Sequence, residues 1–345
     1  MTYYPVVIPT MSRYEHFKNC VESLSKNTHA DKTELVIGLD YPASEKYEEG
    51  WKKIKDYIPT IKGFRKVTVF EHKENLGSVA NWKFLQSYVS EHYDAWINTE
   101  DDNVFSPCFL DYMNKCLEKY KDDCSILAVS GYMDAVDFIL ANRQDANIVR
   151  MQDYMAYGLG KWRRTNQELD LYMPPHYMRY VCSHRKVLKK MKNNLRDLYQ
   201  LIFWTKNNPA LDIRCDFTIA CYCIINGKYL INPTLSLVRN MGYDGSGEHC
   251  GALENDYYGI QKISLDSIFD IKDSLTEKQL KESIAEWERY KHNDFSAAQR
   301  KRVIRYYYAY MFLGYKGVEL FLAIWRLLIK ILRKIWNLVK GCIKR

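Results

Sequence analysis

Ala95-Trp96-Ile97-Asn98-Thr99-Glu100-Asp101-Asp102-Asn103 sets a short apolar run directly against three consecutive acids. Working outward, short apolar runs recur on both sides. Upstream lie Val6-Val7-Ile8, Leu35-Val36-Ile37-Gly38-Leu39 and Val67-Thr68-Val69-Phe70; downstream lies Ile126-Leu127-Ala128-Val129. Between them fall amphipathic stretches of helical length, over about 14–25, 46–57, 79–90 and 109–119. Alternation of this kind predicts an α/β fold, Rossmann-like, with a mostly parallel sheet and helices on both faces. Ligands of such sheets bind beyond the carboxyl ends of the strands. Three segments sit there by this reading: Pro9-Thr10-Met11-Ser12-Arg13, Asp40-Tyr41 and Thr99–Asn103.

Three adjacent acids repel one another strongly at reduced dielectric, so a cation is expected beside Glu100, Asp101 and Asp102. A hard divalent ion, Mn²⁺ or Mg²⁺, suits the position, because such ions bridge one or two carboxylates to substrate phosphates. The competing reading is a solvated acidic turn that opens the next helix and favours its dipole.

Composition excludes several classes. Of 345 residues 47% are apolar and 27% charged, with 16 Gly and 9 Pro, which leaves little room for disorder or long linkers. The net charge of +8 is confined to one end. Residues 300–345 hold 12 Lys+Arg and one acid, Glu319, so the remaining chain is slightly acidic and unsuited to coating nucleic acid. Met1-Thr2-Tyr3-Tyr4-Pro5 has no basic or apolar leader pattern, so no secretory signal is expected. The ten Cys form no CxxC pair and are expected as reduced, mostly buried thiols of a cytoplasmic protein, with a disulfide or metal cluster as the alternative.

Taken together, Val7-Ile8-Pro9-Thr10, Asp40, Glu74-Asn75-Leu76-Gly77 and Glu100-Asp101-Asp102 followed by Pro107 resemble the nucleotide-sugar glycosyltransferases of the GT-A fold. These are family-two-like enzymes, and the nearer likeness is to the N-acetylglucosaminyltransferase I group. The resemblance continues through Val129-Ser130-Gly131-Tyr132, Gly158-Leu159-Gly160, Asp216, Pro233 and Arg239-Asn240-Met241-Gly242-Tyr243-Asp244-Gly245-Ser246-Gly247-Glu248-His249-Cys250, covering roughly residues 3–255. It implies that Asp102 ligates the metal and that Glu100 and Asp101 hold the ribose or donor sugar. Thr10, Arg13, Asp40 and Asn75 fall among the donor and nucleotide contacts. Gly158, Leu159 and Gly160 match a loop under the donor sugar. Asp216 matches the catalytic base, although Cys215 and Phe217 replace the family's neighbours of that base, which leaves Asp212 as a competitor.

The residues can be read without the family. Moving a sugar off a nucleoside diphosphate needs a cation on the leaving phosphates and a carboxylate to take the acceptor proton. Asp216 opens an apolar stretch, Phe217 to Ile225, and is either that carboxylate or a helix N-cap. Asp244 to His249 is either a tight glycine turn or a loop closing over the donor, with His249 on the diphosphate or metal. Arg239 neutralises phosphate or forms a surface ion pair.

The tail repeats a different pattern. Arg326, Lys330, Arg333, Asn337 and Lys340 recur at helical spacing, opposite Phe321, Ile324, Trp325, Leu328, Ile331, Leu332 and Trp336. No uncharged run approaches the roughly 20 residues that span a bilayer. A helix lying in the interface is expected, with Trp325 and Trp336 inserted and Arg326, Lys330, Arg333 and Lys340 on anionic headgroups. Packing on the domain or on a second subunit is the alternative.

The expected organisation is a GT-A domain over 1–255, with a nucleotide-binding half (1–130) and a donor-sugar and acceptor half (131–255). A helical linker follows over 256–299, whose helix is expected to start at a cap on Ser274, and a basic amphipathic tail occupies 300–345. The expected activity is metal-dependent, inverting transfer from a nucleoside-diphosphate sugar, UDP by the resemblance. The acceptor would be a lipid-linked or oligosaccharide glycan in cell-surface polysaccharide synthesis, with the enzyme peripheral on the cytoplasmic membrane face and no nucleic-acid partner. A sugar nucleotidyltransferase is the second reading, weakened because Thr10-Met11-Ser12-Arg13 lacks the glycines of a phosphate loop. A non-catalytic membrane-binding module is the third.

Overall fold

Val6, Ile8, Leu35 and Ile37 alternate with Val7, Val36 and Trp96 along their strands, and the two sets enter different apolar clusters. The first packs with Phe17, Cys20, Val21 and Leu24 of the helix Tyr14–Ser25. The second packs with Leu85 and Val89 of the helix Ser78–His92. A strand exposes successive side chains to opposite faces, so a run that is apolar at every position must be covered on both sides. The computed structural model describes residues 2–134, 146–207, 214–246, 262–274, 276–293 and 295–343.

Ten strands are present among these residues. They are β1 (Val6–Thr10), β2 (Glu34–Leu39), β3 (Lys66–Glu71), β4 (Ala95–Asn98), β5 (Asn103–Phe105), β6 (Ile126–Ser130), β7 (Ile148–Met151), β8 (Leu159–Trp162), β9 (Tyr229–Pro233) and β10 (Val238–Asn240). Eight of them form one sheet in the order β3-β2-β1-β4-β8-β6-β9-β7, while β5 and β10 pair as a separate antiparallel ribbon. β8 and the edge strand β7 run against the others, so the sheet is mostly parallel, as expected. The order reverses at β1: the chain steps outward through β2 and β3, then returns to place β4 on the other side of β1. Such a reversal opens a crevice between the carboxyl ends of the two strands, because their following connections depart in opposite directions.

The chain divides into two compact units, residues 1–172 with 227–290 and residues 173–226 with 291–345. This division differs from the boundaries expected at 255 and 299. The reason lies in apolar faces that the sequence does not advertise as a group. Val181, Cys182, Leu198, Leu201 and Ile202 are buried in the second unit together with Val303, Tyr307, Tyr310 and Val318 from the last long helix, Ala297–Ile343. The helix Glu277–Asn293 begins two residues later than expected. Thr276 and Gln279 form its capping box: the Gln279 backbone amide donates to the Thr276 hydroxyl at 3.3 Å and the Thr276 backbone amide donates to the Gln279 side-chain Oε1 at 2.9 Å, so Ser274 is not the cap. Six of the eight described cysteines are buried, as expected of thiols that serve as small apolar side chains.

Candidate active site

The acids lie at the switch point. Glu100, Asp101 and Asp102 occupy the turn between β4 and β5, and the Asp102 carbonyl accepts the Met241 amide at 2.8 Å, which ties the turn to the end of β10. Asp101 and Asp102 are each only 5% exposed. Two carboxylates buried side by side need a counter-ion, and Arg13, from the loop after β1, supplies it. Its guanidinium bonds Asp101 through Nη2 and Asp102 through Nη1, the latter at 2.8 Å. The Thr10 hydroxyl donates to Asp101 at 2.8 Å, and the Asn240 amide donates to Asp102 at 3.0 Å.

These contacts set the electrostatics. Burial pushes the Asp101 carboxyl above its ordinary range, Arg13 opposes that rise, and the neighbouring Asp102 adds to it. Desolvation disfavours the Arg13 cation, but the two carboxylates outweigh it and hold the proton firmly. The cation expected beside the acids is therefore, in the chain itself, an arginine. Two carboxylates against one guanidinium leave a residual negative charge, and Glu100 stands exposed at the same turn.

A second cluster adjoins the first. Asp40, 3% exposed at the end of β2, accepts the amides of Tyr41 and Leu76 on one oxygen and that of Gly77 on the other, each at 2.9 Å. The Asn75 amide reaches the Tyr41 carbonyl at 2.5 Å and Asp40 at 3.4 Å. Asp40 thus shapes the 75–77 loop by satisfying backbone donors that would otherwise be orphaned.

Of the Gly158-Leu159-Gly160 segment only Gly158 stays on the turn that precedes β8; Leu159 and Gly160 lie within the strand, paired to Asn98 and Ile97 of β4. The antiparallel insertion of β8 between β4 and β6 draws this Gly-Leu-Gly segment into the sheet beside the acidic strand, an arrangement that no local pattern encodes. Arg239 lies in β10, opposite Val104. Asp216 is the first residue of the helix Asp216–Asn226 in the second unit. It is not the N-cap: that place belongs to Cys215, whose amide donates to the Thr218 hydroxyl at 2.9 Å. His249 and Asp212 lie outside the described residues.

Asn240 and Gly242 were not among the expected site residues. Asn240 bonds Asp102 and Asn103 through its amide nitrogen and accepts the Gly242 amide at 2.8 Å through its oxygen. Gly242 passes so close to the acid that a Cβ there would collide with the Asp102 carboxylate. The signal was available in Asn240-Met241-Gly242, a polar residue and a glycine directly after a strand. Beyond it, His16 holds the loop, 2.9 Å from the Asp244 carboxylate and 3.2 Å from the Ser246 hydroxyl. The Ser246 hydroxyl and amide, with His16, bring the Asp244 carboxyl down to about 2. Gly242→Ala is expected to displace the Asp102 carboxylate, since neither partner is the far end of a flexible chain. Activity should fall by at least about tenfold, as a 1 Å misplacement at a site costs up to about 10². Steady-state kinetics beside a thermal melt will check this; unchanged turnover would mean that the carboxylate position is immaterial.

The donor set suits a divalent cation shared with phosphates better than a cage built from protein alone. Among the described residues no three His, Cys, Asp or Glu side chains converge as a metal site. Each Asp102 oxygen carries one of the hydrogen bonds above, which leaves lone pairs for a hard ion, and the missing side chain at Gly242 keeps that side of the carboxylate clear.

No protein-family model and no curated protein matches the chain. Several solved structures overlap it in part. TarS of S. aureus aligns with a TM-score of 0.35 at 11% identity, over 50% of this chain and 30% of that one. The mannosyltransferase PcManGT of Pyrobaculum calidifontis, in complex with GDP-Man and Mn²⁺, aligns with a TM-score of 0.34 at 14% identity, over 52% of each chain. TarS 1-349 in complex with UDP-GlcNAc gives 0.34 at 12% identity, over 50% of this chain and 49% of that one. The chain thus matches about half or less of the length of each, and overlaps at this level assign no role to any residue here.

Proposed function

We propose that the chain is a nucleotide-sugar glycosyltransferase of the GT-A type, transferring a sugar from a nucleoside diphosphate, UDP by the sequence resemblance, to a lipid-linked or oligosaccharide acceptor. The observation that carries this reading is the convergence of Thr10, Arg13, Asp101 and Asp102 at the switch point between β1 and β4, with Asp40 and Asn75 at the adjoining strand end. A nucleotide lying across the carboxyl ends of β1, β2 and β4 meets all of them.

Asp102 would hold a divalent cation, Mn²⁺ or Mg²⁺, and the chemistry supplied there would be neutralisation of charge on the leaving diphosphate. Arg13 is tethered to both acids and supplies a fixed positive charge at the same edge. Asp40 fixes the 75–77 loop, so the nucleotide meets a preformed surface. By the sequence resemblance Asp216 is the carboxylate that would take the acceptor hydroxyl proton in an inverting transfer. Placement on the cytoplasmic membrane face, in cell-surface polysaccharide synthesis, belongs to the same proposal and draws on the charge of the tail.

The test is incubation of the protein with a panel of UDP- and GDP-sugars in Mn²⁺. Released nucleoside diphosphate supports transfer; pyrophosphate-dependent exchange would identify a nucleotidyltransferase instead, and neither product would remove the enzymatic reading. Asp216→Asn should retain donor binding by calorimetry while losing transfer to the acceptor. Equal loss of donor binding would take the base role from Asp216.

A further inference from the structure

The last helix changes character along its length. Up to Glu319 it is built into the second unit: Val303, Tyr310 and Val318 are buried, Arg185 donates to the Phe312 carbonyl at 3.1 Å, and Glu319 pairs with Lys206 at 2.6 Å. Gly314 interrupts it with a φ of 68°, a left-handed turn that an L side chain would resist. Beyond Glu319 the helix leaves its own core. Leu320, Phe321, Ile324, Trp325, Leu328 and Leu332 are 47–64% exposed, although each is of a type ordinarily buried.

These residues cover roughly half the helical circumference. The opposite arc carries Arg326, Lys330 and Arg333, joined by Lys334, all exposed. Glu319, the one acid of the region, is already engaged by Lys206. Packing on the chain's own second unit, one of the alternatives left open by the sequence, is therefore not what covers this face. No helix among the described residues is long and apolar enough to cross a membrane.

We infer that the helical segment after Glu319 is a docking surface for an anionic lipid bilayer, lying in the plane of the interface with Phe321, Trp325, Leu328 and Leu332 inserted. Charge complementarity selects this occupant over a second copy of the chain. Two identical helices would bring like charges along both edges of their seam. An apolar arc this broad also exceeds the narrow stripe that a two-helix seam buries. A lipid surface accepts the whole arc and supplies counter-charges to the other side. Val318 and Glu319, which follow the Gly314 interruption, stay anchored in the unit, so docking of the segment beyond them need not disturb the packed unit. This surface stands whether or not the chain transfers sugar, because nothing in the argument uses the acids of the first unit.

The test is co-sedimentation of the full-length protein with phosphatidylcholine vesicles with and without phosphatidylglycerol. Binding should require the anionic lipid at moderate salt and weaken without vanishing at high salt, since only the charge contribution is screened. Each basic residue near the surface contributes about fivefold in partitioning, or about 1 kcal/mol. Replacing Arg326, Lys330, Arg333 and Lys334 together by Gln should therefore weaken binding by about 10² to 10³. The double variant Leu328→Asp with Leu332→Asp should abolish binding with an unchanged melting temperature. A fall in melting temperature in that variant, or conversion of a dimer to a monomer by light scattering, would show that protein covers the face and would overturn the inference. So would equal binding to neutral and anionic vesicles.

Discussion

Asp102→Asn is expected to abolish sugar transfer while leaving a folded protein. Asp102 carries two hydrogen bonds, from Arg13 at 2.8 Å and Asn240 at 3.0 Å, and Asn can accept only one of them through its remaining oxygen. The other donor is left facing an amide NH₂. A buried donor left unsatisfied costs about 1–3 kcal/mol, a visible but survivable fraction of a domain's stability. The catalytic consequence is larger, because the variant loses the negative charge that holds the cation on the leaving phosphates. Activity should drop beyond detection in Mn²⁺ while the melting temperature falls by only a few degrees. Full wild-type activity under chelation would refute the metal role directly. Partial activity restored by high Mn²⁺ would still support it, since the remaining carboxylate of Asp101 lies at the same turn.

Much of this site follows from local chain chemistry. The apolar runs at β1, β2, β4 and β6 and the helices Tyr14–Ser25 and Phe109–Lys119 are legible because each is a strong periodic pattern that its neighbours do not contradict. A strand order that reverses at β1 cannot be read from any one segment, yet the alternation alone points to the carboxyl ends as the place to look. What escapes the sequence is long-range. β8 enters the sheet between two strands that precede it in the chain, and β10 meets β5 across more than a hundred residues. Asn240 and Gly242 gain their roles only through that ribbon, since the pairing of Asn240 with Asn103 sets the amide against Asp102. The same limit explains the second unit, where the sequence singles out only the apolar stretch after Asp216 and the basic tail, while the common core of its helices with the helix Ala297–Ile343 is not legible. The acidic turn is a subtler case. Its repulsion is plain from Glu100-Asp101-Asp102, but a cation supplied by an arginine from a loop some ninety residues earlier is a tertiary answer to a local problem.

Arg13→Met should destabilise the protein strongly and make its stability respond to metal. Removing one partner of a buried ion pair costs about 3–5 kcal/mol, because the other charge stays buried without compensation. The low end applies here, as the Arg13 side chain is 26% exposed and solvent screens part of the loss. Two carboxylates then face each other, and a divalent cation becomes their best available counter-ion. Millimolar Mn²⁺ should therefore raise the melting temperature of the variant by more than it raises that of the wild type, and should do nothing for Arg13→Met combined with Asp102→Asn. A cation present at a hundred times its dissociation constant restores about 2.7 kcal/mol by mass action, enough to offset most of the loss. The pH dependence has a defined sign. Burial holds the Asp101 carboxyl above its unfolded value even with Arg13 opposing it, and removal of the guanidinium pushes it further in the same direction. A group raised in the folded state contributes its stability fully below the unfolded value, about 3.9, and loses it as pH climbs through the folded one. The deficit of Arg13→Met should thus be smaller near pH 5 than near pH 8 in the absence of metal. A variant with wild-type stability at both pH values and no response to Mn²⁺ would show that Arg13 is not the counter-ion of this turn, and the charge balance of the site would have to be drawn again from Glu100 outward.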